Sequence, residues 1–225
     1  MRIFNNDGTE AEMCGNGIRC LAKYAYEKGL VKKKNITVET LSGIKKIEYI
    51  LENNSIMAIK VNMGKPILNP QRIPVYLPRN YRINYEKCKV QLKALDKEFI
   101  GTCISLGNPH LVIKIKKLKE FNVKKYGKII EEYKFFPNKT NVEFVEVIDK
   151  NNIKIRVWER GVGETLACGS GASAAAYICY SEGDTDNKLK AELQGGTLDF
   201  EINKNTKEIY MTGPAVNVYE GKIDL

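Results

Sequence analysis

Glu10-Ala11-Glu12-Met13-Cys14-Gly15-Asn16-Gly17 returns 154 positions later as Glu164-Thr165-Leu166-Ala167-Cys168-Gly169-Ser170-Gly171. The register then holds without a gap through Ala22 with Ala176, Tyr26 with Tyr180 and Gly29 with Gly183, giving seven identities in twenty positions. Self-similarity of this kind marks two copies of one supersecondary unit. After each closing glycine comes an alternating segment, Ile36 to Glu39 and Leu189 to Glu192, then a glycine turn at Gly43 or Gly196. Two more strands follow in each copy, Ile47 to Leu51 and Ile56 to Val61, then Leu198 to Ile202 and Glu208 to Met211. Each copy ends near Gly-Pro, at Gly64-Lys65-Pro66 and Gly213-Pro214.

Between the cysteine motif and the meander the pattern predicts helices over Ile18 to Lys28 and Ala172 to Glu182, stopped by Gly29 and Gly183 as left-handed caps. Their faces are largely apolar all round, so each helix is expected to be enclosed by sheet. The fold class expected is α+β, with two pseudo-symmetric domains, each a curled β-sheet around a central helix. The boundaries expected are 1–66 plus 214–225 for the first domain and 67–213 for the second. The proline-rich stretch Pro66 to Pro78 forms the connection. Further strands are expected in the second copy at Phe99 to Leu106, Leu111 to Ile115, Val142 to Ile148 and Ile153 to Trp158. The first copy has only thirteen residues before Cys14, so its domain is expected to be incomplete or built differently.

Composition removes several classes of function. The 225 residues are 43% hydrophobic and 28% charged, which fits an ordinary globular chain rather than disorder. No apolar stretch approaches the roughly 20 residues of a membrane span, and no signal peptide is legible. The net charge of +9 permits an acidic partner, but only seven of the 36 cations are arginine and they are scattered. The densest run, Lys114 to Lys128, is broken by Leu118, Phe121 and Val123, which reads as a solvated lysine-rich surface rather than a nucleic-acid site. The six cysteines, Cys14, Cys20, Cys88, Cys103, Cys168 and Cys179, show no CxxC spacing and pair with a single histidine, His110. Reduced thiols in a cytoplasmic protein and no metal site are the expectation.

A cysteine just before a glycine-flanked helix start has a physical meaning. Backbone N–H groups and the helix dipole there favour a thiolate and an anion beside it. One such cysteine is a weak signal, whereas two at equivalent helix heads predict a shared site. A carboxylate held between both heads would have a thiol on each side of its α-carbon, the geometry of a two-base racemase. Cys20, nearly two turns beyond Cys14, is expected in the core. His110, in a turn between strands, and Glu159 are candidates to assist a thiol. Arg160, in the glycine-flanked run Glu159-Arg160-Gly161-Val162-Gly163, is suited to gripping a carboxylate.

These stretches together resemble the diaminopimelate epimerase family. The resemblance rests on Phe4-Asn5-Asn6-Asp7-Gly8 through Cys20, Gly107-Asn108-Pro109-His110, Thr140-Asn141-Val142-Glu143-Phe144, and Glu159 through Gly171. It implies cofactor-independent interconversion of L,L- and meso-diaminopimelate, on the route to lysine and cell-wall peptide. Cys14 and Cys168 then fall on the acid/base cysteines, and His110 and Glu159 on groups that assist them. Gly15, Asn16, Gly169 and Ser170 fall on ligands of the reacting end, and Asn5, Asn108, Asn141, Glu159 and Arg160 on substrate-binding positions. The family also implies a homodimer and two domains of sheet curled around a helix. Family members open with a strand and a glycine-rich segment lacking here, so the resemblance implies a chain that starts inside the first domain. A racemase for another amino acid, or an inactive fragment that folds only with a partner, are the alternatives.

Overall fold

The computed structural model describes residues 1–4, 8, 10–77 and 88–222. Helix α1 (Gly15–Glu27) opens the first copy and is followed by a meander of β1 (Asn35–Thr40), β2 (Gly43–Glu52) and β3 (Ser55–Gly64). The β2–β3 turn is made by Asn53 and Asn54, both at positive φ (48° and 61°), the two-residue turn whose twist matches the flanking strands. The central segment carries β4 (Lys89–Ala94), β5 (Lys97–Ser105), β6 (Pro109–Lys114), α2 (Val123–Glu131), β7 (Asn141–Val147), β8 (Asn152–Glu159) and the short β9 (Gly163–Thr165). Helix α3 (Gly169–Ser181) then leads into the second meander, β10 (Lys188–Leu193), β11 (Gly196–Ile202) and β12 (Ile209–Gly213).

Both meanders lie where the repeat predicts them. Both helices end as expected, with Gly29 (φ 70°) donating to Tyr26 O at 3.0 Å and Gly183 (φ 81°) to Tyr180 O at 3.0 Å. Both begin three residues earlier than the periodicity suggests, because Cys14 and Cys168 are themselves the N-caps. Three elements lie outside the sequence pattern: strand β4, the short β9 in the Arg160 loop, and α2, which lies inside the lysine run with Val123, Tyr126, Gly127 and Ile130 on its buried face.

Strands β1 to β8 and β10 to β12 join one continuous path, ordered β1-β2-β3-β12-β11-β10-β8-β7-β6-β5-β4, with β9 hanging on β8. The copies are stitched by antiparallel β3–β12 pairing, where Lys60 faces Thr212 and Val61 faces Met211. Within the second copy the sheet curls around α3, which packs on β5–β8 on one side and on β10–β12 on the other. On the opposite face of β4–β8 lies a second apolar cluster that includes Phe99, Phe121, Phe144, Tyr126 and Trp158, covered by α2. The stretch from Pro66 to Leu77 is more than a tether. Pro70 and Ile73 are buried, and Ile67 exchanges backbone hydrogen bonds with Ser105 at 2.9 Å; Pro78 lies outside the described residues.

The expectation of two enclosed helices holds for α3 and fails for α1. Eleven of the thirteen α3 residues are buried, whereas α1 buries only Gly15, Ile18, Arg19 and Ala22. Cys20 is exposed rather than in the core, because it lies on a face of α1 that no strand covers among the described residues. Among the described residues, no helix is long and apolar enough to cross a membrane.

Candidate active site

Cys14 and Cys168 stand at equivalent helix heads, both in extended backbone. Each Sγ accepts the N–H three residues on, from Gly17 at 3.3 Å and from Gly171 at 3.4 Å. A thiol thus occupies the place where hydroxyls and carboxylates usually cap, at the positive end of each helix. The heads are in contact. A Cβ on Gly15 would lie 3.2 Å from Gly169 Cα, and one on Gly169 would lie 3.1 Å from Gly15 Cα, so both positions need glycine.

The junction is held by polar groups as well. Asn16 Nδ2 donates to Ala167 O at 3.2 Å, linking one head to the loop before the other. The buried Arg19 guanidinium donates to Gly15 O and Asn16 Oδ1 at 3.0 Å each and to Pro214 O at 3.2 Å. It therefore fastens the first turn of α1 to the end of the second meander.

Around this junction is a cavity of about 460 Å³. It is lined by Cys14, Gly15, Asn16, Asn108, Asn141, Glu159, Arg160, Cys168, Gly169 and Ser170, with Ile3, Met13 and Val162 among others. The structure thus brings together the residues singled out from sequence, with two exceptions. Asn5 lies outside the described residues. His110 is fully buried behind the wall, with Nδ1 2.7 Å from Glu143 Oε1 and Nε2 2.9 Å from Asn108 Oδ1. It meets the cavity through Asn108. A larger groove, about 590 Å³, lies over β1–β3 and contains neither cysteine.

Asn141 lines the cavity, yet its amide is committed to backbone. It donates to Pro109 O at 2.8 Å and accepts from Arg160 N at 2.9 Å, so it ties the Asn108 loop to the Arg160 loop. Glu131, from α2, accepts from Gly161 N and from Trp158 Nε1, both at 2.7 Å, and so anchors the Arg160 loop from behind. Glu131, Glu143 and Arg19 were not singled out from sequence. The available signal was a charged residue at an inward position of an otherwise apolar segment, as in Asn141-Val142-Glu143-Phe144-Val145.

Burial pushes the Cys168 thiol well above its ordinary range, and the nearby Glu159 carboxylate adds to this. The Ser170 hydroxyl and the Gly171 N–H act in the opposite direction and are outweighed. At this cysteine, therefore, the helix head does not by itself produce a resting thiolate. Burial likewise raises the Glu143 carboxyl, against the opposing effect of His110. Among the described residues, no three His, Cys, Asp or Glu side chains stand together as a metal site.

Comparison with known proteins bears directly on this arrangement. The sequence profile described as diaminopimelate epimerase matches residues 1–69 and 102–218. The diaminopimelate epimerase of Methanococcus maripaludis is 49% identical over 225 residues, which is all of this chain and 79% of that protein. The chain belongs to the diaminopimelate epimerase family. It is accordingly a member of an isomerase family. Solved structures share the fold at much lower identity. A phenazine biosynthesis protein of the PhzF family from Bacillus anthracis superposes with a TM-score of 0.68 at 19% identity, over 100% of this chain and 80% of that one. A probable proline racemase from Agrobacterium radiobacter, solved with bound carbonate, gives 0.67 at 12% identity, over 97% and 71%.

Proposed function

We propose that this chain inverts the α-carbon of diaminopimelate by two-base chemistry, with Cys14 and Cys168 as the acid/base pair. The observation that supports this reading is the contact of two cysteine-capped helix heads at Gly15 and Gly169, with both thiols on one cavity. One sulfur, as thiolate, removes the α-proton from one face, and the electron pair left on carbon spreads into the substrate carboxylate. The other thiol delivers a proton to the opposite face, so one proton leaves, one arrives and no redox change occurs. Backbone N–H groups at both helix heads favour the charge that develops on the carboxylate. The two sulfurs supply both proton transfers, so the step needs no cofactor.

Whichever sulfur is the thiolate takes the proton, and the opposite thiol, Cys168 or Cys14, supplies its replacement. Glu159 stands beside Cys168 and completes its proton exchange. Gly15, Asn16, Gly169 and Ser170 receive the reacting end. Asn108 and Arg160 receive the distal zwitterion, with Asn141 holding their loops in register. His110 serves through Asn108. The two lobes at the junction are residues 1–66 with 214–225 and residues 67–213, and the working form is a cytoplasmic homodimer on the route to lysine and cell-wall peptide.

Proton NMR of L,L-diaminopimelate in D₂O with the reduced 225-residue chain tests this. Loss of the α-proton signal with formation of the meso epimer is expected, and inversion should disappear in Cys14→Ala and in Cys168→Ala. Persistence of inversion in either variant would contradict the two-thiol reading. A folded chain that inverts another amino acid but not diaminopimelate would contradict the substrate.

A further inference from the structure

Behind the cavity wall, three side chains run in series from the core toward the site. Glu143 on β7 is completely buried, and its Oε1 meets His110 Nδ1 on β6 at 2.7 Å. His110 is also completely buried, and its Nε2 meets Asn108 Oδ1 at 2.9 Å. Asn108 lines the cavity. The first turn of α3 closes over the acid, since a Cβ on Gly171 would lie 2.5 Å from Glu143 Oε1. The same Gly171 donates its N–H to Cys168 Sγ, so the acid sits directly beneath the thiol's cap.

The proton count in this series has few solutions. Glu143 Oε2 is buried with no hydrogen-bond partner among the described residues. A carboxylate there would be a buried charge with one bare oxygen, a costly arrangement, whereas a carboxylic acid needs only its single O–H satisfied. The charged or titratable groups facing it are His110 from β6, Cys168 from the head of α3 and Glu159 from β8. Glu159 opposes a negative charge at Glu143, and Cys168, held as a neutral thiol by burial, does nothing to compensate one. If the acid O–H points at Nδ1, the imidazole is neutral with its hydrogen on Nε2. That hydrogen points at Asn108 Oδ1. The Asn108 carbonyl is then occupied from behind, and its NH₂ is turned outward.

We propose that Glu143 is a positioning residue held as a neutral carboxylic acid, which fixes the His110 tautomer and through it presents the Asn108 amide to the cavity as a hydrogen-bond donor. The opposite tautomer would require Asn108 to turn its NH₂ toward His110 and offer a carbonyl to the cavity. Donor polarity selects an acceptor, so Asn108 faces a carboxylate of the substrate rather than an ammonium. This last step rests on the diaminopimelate reading; the hydrogen-bond series does not.

The test uses the fact that His110 is the sole histidine of the chain. In protein labelled with ¹⁵N-histidine, the ring nitrogens are expected to read as protonated Nε2 and unprotonated Nδ1. A ring with hydrogen on Nδ1 and a bare Nε2, or one protonated at both nitrogens, would overturn the proposal. Substitution gives a second readout. Glu143→Leu is expected to raise KM for diaminopimelate by about tenfold or more while changing kcat much less. Glu143→Gln, whose amide N–H can replace the acid O–H, should recover most of that loss. A Gln variant as impaired as the Leu variant would show that an anion is required and overturn the neutral-acid assignment. Expected ring signals in a chain that turns over no diaminopimelate would sink the substrate reading and leave the hydrogen-bond series intact.

Discussion

Helices α1 and α3 share a head and differ in everything that follows. Each is capped by a cysteine, each needs glycine at the next residue for the two heads to touch, and each ends on a left-handed glycine. Beyond the first turn, α3 is clasped by strands on both sides and carries Ala172, Ala174, Ala175, Ala176 and Ile178 in full burial. α1 rests on β3, leaves Leu21 and Tyr24 exposed, and offers Arg19 where α3 has buried Ser173. The ground beneath the heads differs too: Gly17 sits over the Ile3 side chain and Gly171 over the Glu143 carboxyl. What recurs in the two copies is the chemistry-bearing turn, while the body of each helix has adapted to its own packing. A cap can be kept in place by one turn of backbone and a glycine contact, without burial of the helix as a whole.

The largest break in this symmetry is expected from charge placed at equivalent positions. Leu21 and Ala175 correspond in the repeat, but the first is 38% exposed and the second 0%. Ala175→Asp buries an uncompensated charge and should cost more than about 4 kcal/mol, whereas Leu21→Asp should stay within about 0.5 kcal/mol. Urea denaturation of the two variants measures the contrast, and equal losses would mean that α1 is as enclosed as α3.

At the heads the copies should behave alike. Gly15→Ala and Gly169→Ala each press a methyl onto the opposite backbone, and neither neighbour is a flexible side-chain end alone. Each should cost about 1 to 3 kcal/mol of stability and, by separating the thiols, lower kcat at least tenfold. Activity surviving in one variant and not the other would show that the contact is not shared equally.

A smaller difference concerns pH. Burial raises the Glu143 carboxyl, so the folded chain keeps a proton that the unfolded chain releases above about pH 4.3. The folded state then binds more protons, and stability falls as pH rises from there through the raised folded value. Glu143→Gln removes this slope, which thermal melts across pH would reveal as a flatter profile above that point. The smallest effect belongs to Cys20, exposed where its counterpart Ala174 is buried. Cys20→Ala should change stability by less than about 0.5 kcal/mol and leave activity untouched.

Much of the fold was legible because it repeats. The strands of both meanders, the glycine caps and the central strands β5 to β8 follow from period-two patterning and from one self-alignment. The helix starts were misjudged because the periodic apolar residues begin at Ile18 and Ala172, while a cysteine N-cap leaves no hydrophobic signal. α2 was hidden by lysines that occupy its outer face, although Asn122, which accepts from Lys125 N at 2.9 Å, is an ordinary cap. At the site, residues in contiguous motifs were recognisable, whereas Glu131 and Glu143 act on partners about thirty residues away, Gly161 and His110. Such pairings depend on strand register, which a single sequence does not state.

The most direct test of opposed thiols is α-hydrogen exchange in single-cysteine variants, followed by NMR in D₂O with each epimer of diaminopimelate supplied separately. If one sulfur serves each face, Cys14→Ala should exchange the α-hydrogen of one epimer only, Cys168→Ala that of the other, and neither should invert the centre. Exchange of the same epimer by both variants, or inversion by either, would contradict the account.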